Sequence, residues 1–154
     1  MKVAVVMGSK SDQPVMEACV KHLQYFGIEC EEFLLSAHRD PHKTSQFATA
    51  AEGLGFKVII AAAGMAAHLP GVIAAYTTLP VIGVPLAASD LQGLDALLSI
   101  VQMPAGVPVA TVSIGKAGAV NAAVFAAEIL AQQSDSISLK LIEFKKNGCK
   151  ISNP

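Results

Sequence analysis

The sequence predicts an α/β protein in which a doubly wound, mostly parallel sheet of about five strands lies between two layers of helices. Short apolar runs rich in β-branched residues, at 3–7 and 58–62, are typical of strands that are buried on both faces. Apolar residues recur at helical spacing between such runs, and glycine or proline marks most of the boundaries. Strands that alternate with helices along a chain build parallel sheets.

The composition indicates one domain with more apolar surface than one chain can bury. The 154 residues are the length of a single domain, 53% of them are hydrophobic and only 15% are charged. We therefore expect a homo-oligomer that buries apolar faces between subunits.

Charge and cysteine usage disfavour several function classes. A net charge of −1 offers no electrostatic attraction for nucleic acid or an anionic membrane. The three cysteines Cys19, Cys30 and Cys149 show no disulfide or zinc-ligand spacing, so we expect no metal site and a reducing cytoplasm. The hydropathic stretch 58–88 is interrupted by glycines and prolines and is interpreted as buried core rather than a membrane span.

The first strand, 3–7, leads into the loop 8–12 and then into a helix that ends at Gly27. Backbone N–H groups at such a helix start favour an anion, so Ser9 and Ser11 are candidate phosphate ligands. Ser11 as a simple N-cap is an equally good interpretation. The loop fits neither the GxGxxG nor the Walker pattern.

The second strand, 28–35, ends in a loop that contains Ser36, His38 and Arg39, and a helix over 41–54 follows. Arg39 and Ser36 are suited to hold an anionic ligand while His38 moves a proton. The simpler interpretation is that Asp40 caps the helix, which Pro41 begins, and that His38 and Arg39 are merely solvated.

The third strand, 58–62, precedes the loop 63–71, which is small and apolar apart from His68. Small residues such as Gly64 and Ala67 let the backbone approach a flat ligand closely. Taken alone, His68 is better explained as a hydrogen-bonded core histidine than as a catalyst.

The remaining elements are strands at 81–84 and 109–113 and helices that end near 101, over 119–132 and over 138–146. The whole chain, 1–154, is expected to be one domain of flavodoxin-like or Rossmann-like type, with a C-terminal helix and tail from about 134. Residues 147–154 are predicted to be a mobile end without chemistry. In such folds ligands bind at the carboxyl ends of the strands, where the first three loops bring together Ser9, Ser11, Asp12, Ser36, His38, Arg39 and His68.

At these loops the sequence resembles the N5-carboxyaminoimidazole ribonucleotide mutases, the class I PurE family. Four motifs occur in the family's order, and together they extend over most of the chain: MGSKSD at 7–12, SAHR at 36–39, AAHLPG at 66–71 and SIVQMP at 99–104.

The resemblance implies a cytoplasmic isomerase of de novo purine (IMP) biosynthesis, an octamer with sites at subunit contacts, and no metal or other cofactor. It would convert N5-carboxyaminoimidazole ribonucleotide to 4-carboxyaminoimidazole ribonucleotide by decarboxylation and recarboxylation.

The resemblance also implies residue roles. Ser9, Ser11 and Arg39 would bind the substrate phosphate, and Asp12 would bind the ribose hydroxyls. His38 would be the general acid and base, and His68 would orient the reacting group. Further substrate-binding positions are Ser36, Gly64, Ala67 and Leu69. The family usually has Gly where Met65 stands and Ser where Ala88 stands, so the carbon dioxide pocket is expected to differ in shape.

Two alternatives stay open. The related carboxylase, which adds carbon dioxide directly to aminoimidazole ribonucleotide, has Lys at the end of its second motif and lacks the Ala-His-Leu-Pro-Gly segment. Arg39 and residues 68–71 therefore favour the mutase. A non-catalytic nucleotide-binding module would explain residues 9–12 but would leave His38 without a task.

Overall fold

The structure is a computed structural model and describes residues 1–151. Within them five strands form one parallel sheet in the order β2-β1-β3-β4-β5. The strands are β1 (Lys2–Met7), β2 (Glu29–Leu34), β3 (Phe56–Gly64), β4 (Val81–Leu86) and β5 (Ala110–Thr111). The predicted α/β class and the doubly wound parallel sheet are confirmed.

Helices cover both faces of this sheet. They are α1 (Gln13–Tyr25), α2 (Pro41–Ala50), α3 (Leu69–Tyr76), α4 (Leu94–Val101), α5 (Lys116–Ala131) and α6 (Asp135–Lys146). A 3₁₀ turn, Lys10–Asp12, precedes α1. No helix within residues 1–151 is both long enough and apolar enough to cross a membrane.

The two faces of β1 show why three layers form. Val3 and Val5 belong to a buried cluster with α1, α5 and α6, whereas Ala4 and Val6 belong to a second cluster with α2, α3 and α4. Successive side chains of a strand point to opposite faces, so a wholly apolar strand needs a helical layer on each side.

The observed boundaries differ from the predicted ones at several elements. The second helix ends at Ala50, because residues 51–55 form turns that finish at Gly55 with φ +89°. The fifth strand has two residues instead of five, since it lies at the sheet edge and pairs only with β4. The last two helices each begin three residues early, at Lys116 and Asp135.

The C-terminal segment is partly held against the domain. The Cys149 N–H donates to the Phe144 carbonyl oxygen at 3.0 Å, and Ile151 packs against the cluster that contains α6. Within the tail that was expected to be mobile, residues 147–151 therefore have contacts with the domain. Residues 152–154 of that tail lie outside the described part of the chain.

Candidate active site

The loop after β1 is folded by its own polar side chains. Ser9 is the N-cap of the 3₁₀ turn, and its Oγ accepts from the Ser11 N–H at 3.3 Å. The Ser9 N–H in turn donates to Asp12 Oδ2 at 3.0 Å, which completes a capping box. Ser9 rather than Ser11 is therefore the capping residue. Ser11 is exposed, and its hydroxyl donates to Ser9 Oγ at 3.0 Å, so the two hydroxyls lie side by side.

Asp12 is the charged residue that this loop buries, with 7% of its surface exposed. Burial raises the pKa of the Asp12 carboxyl, while hydrogen bonds from the Ser9 backbone, the Ser11 hydroxyl and the Gly8 backbone act in the opposite direction. Asp12 thus holds the loop backbone in place. It also lines the cleft, where its carboxylate oxygens can accept further hydrogen bonds.

The loop after β2 is a tight turn ahead of α2. The Asp40 N–H donates to the Ser36 carbonyl oxygen at 2.8 Å, and the Arg39 N–H donates to Ser36 Oγ at 3.3 Å. Asp40 Oδ1 accepts from the Lys43 N–H at 3.4 Å, and Pro41 is the first residue of α2. The capping interpretation is therefore correct, and the same turn leaves His38 and Arg39 exposed at the strand ends.

The loop after β3 presents His68 at the N-cap position of α3. His68 is exposed, so it is not a core histidine. Leu69 is 3% exposed and still reaches the cleft wall, whereas Ala67 is 1% exposed and lies in the buried cluster beneath it. Among the sequence-predicted site residues, Ala67 is the one that does not line the cleft.

His38 and His68 are in direct contact. His38 Nε2 and His68 Nδ1 are 2.7 Å apart, and the rings meet edge to face at 84°. A hydrogen bond between two ring nitrogens needs one N–H donor and one lone pair, so the pair has two places for the same proton. This arrangement can deliver and take back a proton in the cleft.

The three loops and the loop after β4 enclose a cleft of about 420 Å³. Its polar lining residues, called the polar wall below, are Ser9, Ser11, Asp12, Ser36, His38, Arg39 and His68. Its larger set of small and apolar lining residues, called the apolar wall below, is Ala63, Gly64, Met65, Ala66, Leu69 and Ala88; Gly8 and Ala37 complete the lining. The cleft can therefore hold a ligand that has both an anionic group and an uncharged part.

The sequence did not lead us to assign the lining residues Gly8, Ala37 and Ala63 to the site, whereas Met65 and Ala88, which were expected at the carbon dioxide pocket, do line the cleft. The positions of Gly8, Ala37 and Ala63 in the sequence could have identified them, because all three lie at or just after the end of a strand, on the edge of the sheet where ligands bind. Ala88 reaches the site because Gly64 has no side chain; a Cβ at Gly64 would lie 2.5 Å from the Ala88 Cβ.

Comparison with known proteins gives consistent results. Residues 2–150 match the family model described as AIR carboxylase. The N5-carboxyaminoimidazole ribonucleotide mutase of Pseudomonas aeruginosa is 54% identical over 154 residues, with 99% of this chain and 94% of that protein covered. The mutase of Vibrio vulnificus is 49% identical, with 100% of this chain and 97% of that protein covered.

An archaeal relative and a solved structure extend this result. The N5-carboxyaminoimidazole ribonucleotide mutase of Saccharolobus solfataricus is 53% identical over 146 residues, with 95% of this chain and 91% of that protein covered. The crystal structure of Treponema denticola PurE superposes with a TM-score of 0.87 at 27% identity, covering 96% of this chain and 91% of that one. The chain therefore belongs to the AIR carboxylase family, in which its relatives of about 50% identity are N5-carboxyaminoimidazole ribonucleotide mutases.

Proposed function

We propose that this protein is an N5-carboxyaminoimidazole ribonucleotide mutase, an isomerase of purine biosynthesis that produces 4-carboxyaminoimidazole ribonucleotide. The observation that supports it most is the 2.7 Å contact between His38 Nε2 and His68 Nδ1 in a cleft that both polar and apolar residues line. The relatives with this name match the chain over its full length.

The polar wall is suited to a ribonucleotide. Arg39 offers a planar guanidinium for bidentate phosphate binding, and Ser9 and Ser11 add neutral hydroxyl donors beside it. Asp12 can accept hydrogen bonds from the ribose hydroxyls, since an ionised carboxylate has about four acceptor positions and the loop uses only some of them. Ser36 shapes the turn that presents Arg39.

The apolar wall is suited to the transferred group. In the first step the bond between the exocyclic nitrogen and the carboxylate breaks, its electron pair stays on nitrogen, and His38 supplies a proton to that nitrogen. Carbon dioxide, which is now uncharged, lies against the wall near Gly64 and Leu69.

In the second step the ring carbon forms a bond to carbon dioxide, and its displaced proton goes to His38. His68 orients the His38 ring and the reacting group. One proton and one carbon dioxide are exchanged within the cleft, so the reaction balances without an electron acceptor. General acid–base transfer of this kind is typically worth about 10²–10⁴ in rate.

The deciding experiment compares two substrates with the purified protein. One is the N-carboxylated ribonucleotide, and the other is aminoimidazole ribonucleotide with bicarbonate. Conversion of the first alone supports the mutase; conversion of the second at a matching rate indicates the direct carboxylase. Binding of both without conversion indicates a non-catalytic module.

We also propose that the protein is a cytoplasmic homo-octamer. The exposed surface on and just before α4 is apolar, with Leu91 62%, Leu94 53%, Leu98 50% and Val101 49% exposed, and a second copy would cover it. The three cysteines are free thiols, and cytosolic proteins usually keep their thiols reduced. Light scattering should give a mass of about eight times the 15.9 kDa chain, and Leu98→Glu should lower that mass.

A further inference from the structure

Met65 has a backbone conformation that its side chain disfavours. Its φ is +55°, in the left-handed region. Among residues 1–151, Gln92 and Cys149 are the other non-glycine residues with positive φ, and neither lines the cleft. A long side chain in this region costs free energy, and such strained positions cluster at functional sites.

The strain at Met65 follows from the packing on either side of it. Gly64 ends β3 opposite Leu86, and the close contact between Gly64 and Ala88 fixes the chain just before Met65. Just after it, the His68 N–H donates to the Ala66 carbonyl oxygen at 2.8 Å, which begins the approach to α3. The chain therefore turns at residue 65, where glycine would be the unstrained choice.

The Met65 side chain lies at the rim of the cleft. It is 60% exposed, and it is the long, flexible member of the apolar wall, in which Ala66 and Ala88 are also exposed and Gly64 is half-buried. An unbranched thioether with three rotatable bonds can adapt to an irregular ligand surface. Met65 can therefore cover the apolar half of the cleft when a ligand fills it.

We propose that Met65 closes the apolar wall over the transferred group and keeps carbon dioxide in the cleft between its release from nitrogen and its capture by carbon. This inference rests on the proposed mutase function. The family usually has Gly at this position and Ser at position 88; in this chain the smaller Ala88 leaves more room in the apolar wall, which Met65 fills. The strained methionine is then a specificity-determining residue of this chain that favours recarboxylation over escape of the gas into water.

The test is the ratio of two products in single-turnover reactions with the N-carboxylated ribonucleotide. The 4-carboxylated ribonucleotide reports retention, and aminoimidazole ribonucleotide reports escape, after correction for breakdown without enzyme. Met65→Gly should raise the escape ratio about tenfold, the effect expected for losing an apolar contact. Met65→Leu, which keeps an aliphatic side chain, should stay near the wild-type ratio.

A second measurement separates strain from retention. Met65→Gly should raise Tm by about 2–4 °C, because glycine relieves the left-handed backbone. Cys149→Gly is the matched control, since it relieves a φ of +59° at a position that does not line the cleft. It should leave the product ratio unchanged.

An escape ratio in Met65→Gly equal to that of the wild type overturns the inference, and so does an equal increase in Cys149→Gly. The proposed function fails differently: in that case the wild-type protein itself forms no 4-carboxylated product.

Discussion

His38 Nε2 and His68 Nδ1 lie 2.7 Å apart, although the two residues follow different strands that are not neighbours in the sheet. β1 lies between β2 and β3, so the two imidazoles meet across its carboxyl end, in the cleft that Ser9 and Asp12 also line. While this hydrogen bond exists, one of the two facing nitrogens is unprotonated, and the pair can hold one positive charge at most. In the proposed mechanism the proton donor His38 and its orienting partner His68 would therefore act as a unit.

His38→Asn should lower kcat by about 10²–10⁴ because it removes the proton carrier but leaves the phosphate-binding side chains in place. Steady-state kinetics would measure kcat, and calorimetry with aminoimidazole ribonucleotide would show retained binding. His42→Asn, on the exposed surface of α2, is the matched control and should behave as wild type. Unchanged turnover in His38→Asn would remove its proposed role.

His68→Ala should lower kcat by about tenfold, and the loss should be non-additive with that of His38→Asn, since residues in one hydrogen-bonded unit are coupled. His68→Asn can place a polar amide atom near the position of Nδ1 and should recover part of the loss. A double-mutant cycle on kcat measures the coupling. Fully additive losses would indicate that the two imidazoles act independently.

Arg39→Ala should raise KM by about 10–100-fold with a smaller effect on kcat, since a hydrogen bond to a charged group is worth about 1.5–3 kcal/mol. Inorganic phosphate, which would compete with the substrate for Arg39, should also become a weaker inhibitor in this variant. Lys10→Ala removes an exposed cation in the loop after β1 that does not line the cleft. It therefore tests whether any positive charge near the cleft supports phosphate binding or whether Arg39 itself is needed. Equal effects of the two substitutions would contradict a specific phosphate contact.

Asp12→Asn should change how stability depends on pH. Burial raises the pKa of Asp12 above its ordinary 3.8, so the folded protein binds this proton more tightly than the unfolded chain. The protonated carboxyl contributes its full stabilisation below pH 3.8, and this stabilisation is lost as the pH rises through the pKa of the folded state.

As pH rises from below 3.8 towards neutrality, the wild type should lose this stability, whereas the Asp12→Asn variant has no carboxyl to titrate at this position. The free energy of unfolding of the variant, measured with urea, should therefore increase relative to that of the wild type over this pH range. Ser11→Ala leaves the Asp12 carboxyl ionisable but removes a hydrogen bond that lowers its pKa, so the loss of stability should persist and move to higher pH. A difference between Asp12→Asn and wild type that does not vary with pH would contradict the assignment.

Gly64→Ala should lower the free energy of unfolding by about 1–3 kcal/mol, the usual cost of overpacking, because its Cβ would lie 2.5 Å from the Ala88 Cβ. Ala88→Gly in the same chain should restore much of the loss. Gly53→Ala is the control, since its nearest contact, at 3.5 Å, is ordinary van der Waals distance. Thermal unfolding of these three variants and of the wild type would measure this, and a lack of rescue would show that the Leu86 carbonyl oxygen, at 3.3 Å, causes the loss instead.

Much of the fold and of the site could be predicted from local pattern. The apolar run of β1, the helical spacing of α1 and the Asp40–Pro41 start of α2 each depend on residues close together in the chain. Because the loops after parallel strands meet at one edge, the polar lining residues could be assigned together. The less accurate predictions concerned the ends of helices and strands. An example is β5, which has two residues because its length depends on pairing with β4.

The sequence by itself determined the elements, their order and the chemical groups at the strand ends, because periodicity, capping and turn chemistry act over a few residues. Only the tertiary structure decided that β1 separates β2 from β3, so that His38 and His68 share a hydrogen bond, and that Ala67 is buried while Met65 lies at the rim. Those outcomes depend on which strands pair and how both sheet faces are covered. Contacts between distant residues decide these things, and no local pattern contains them.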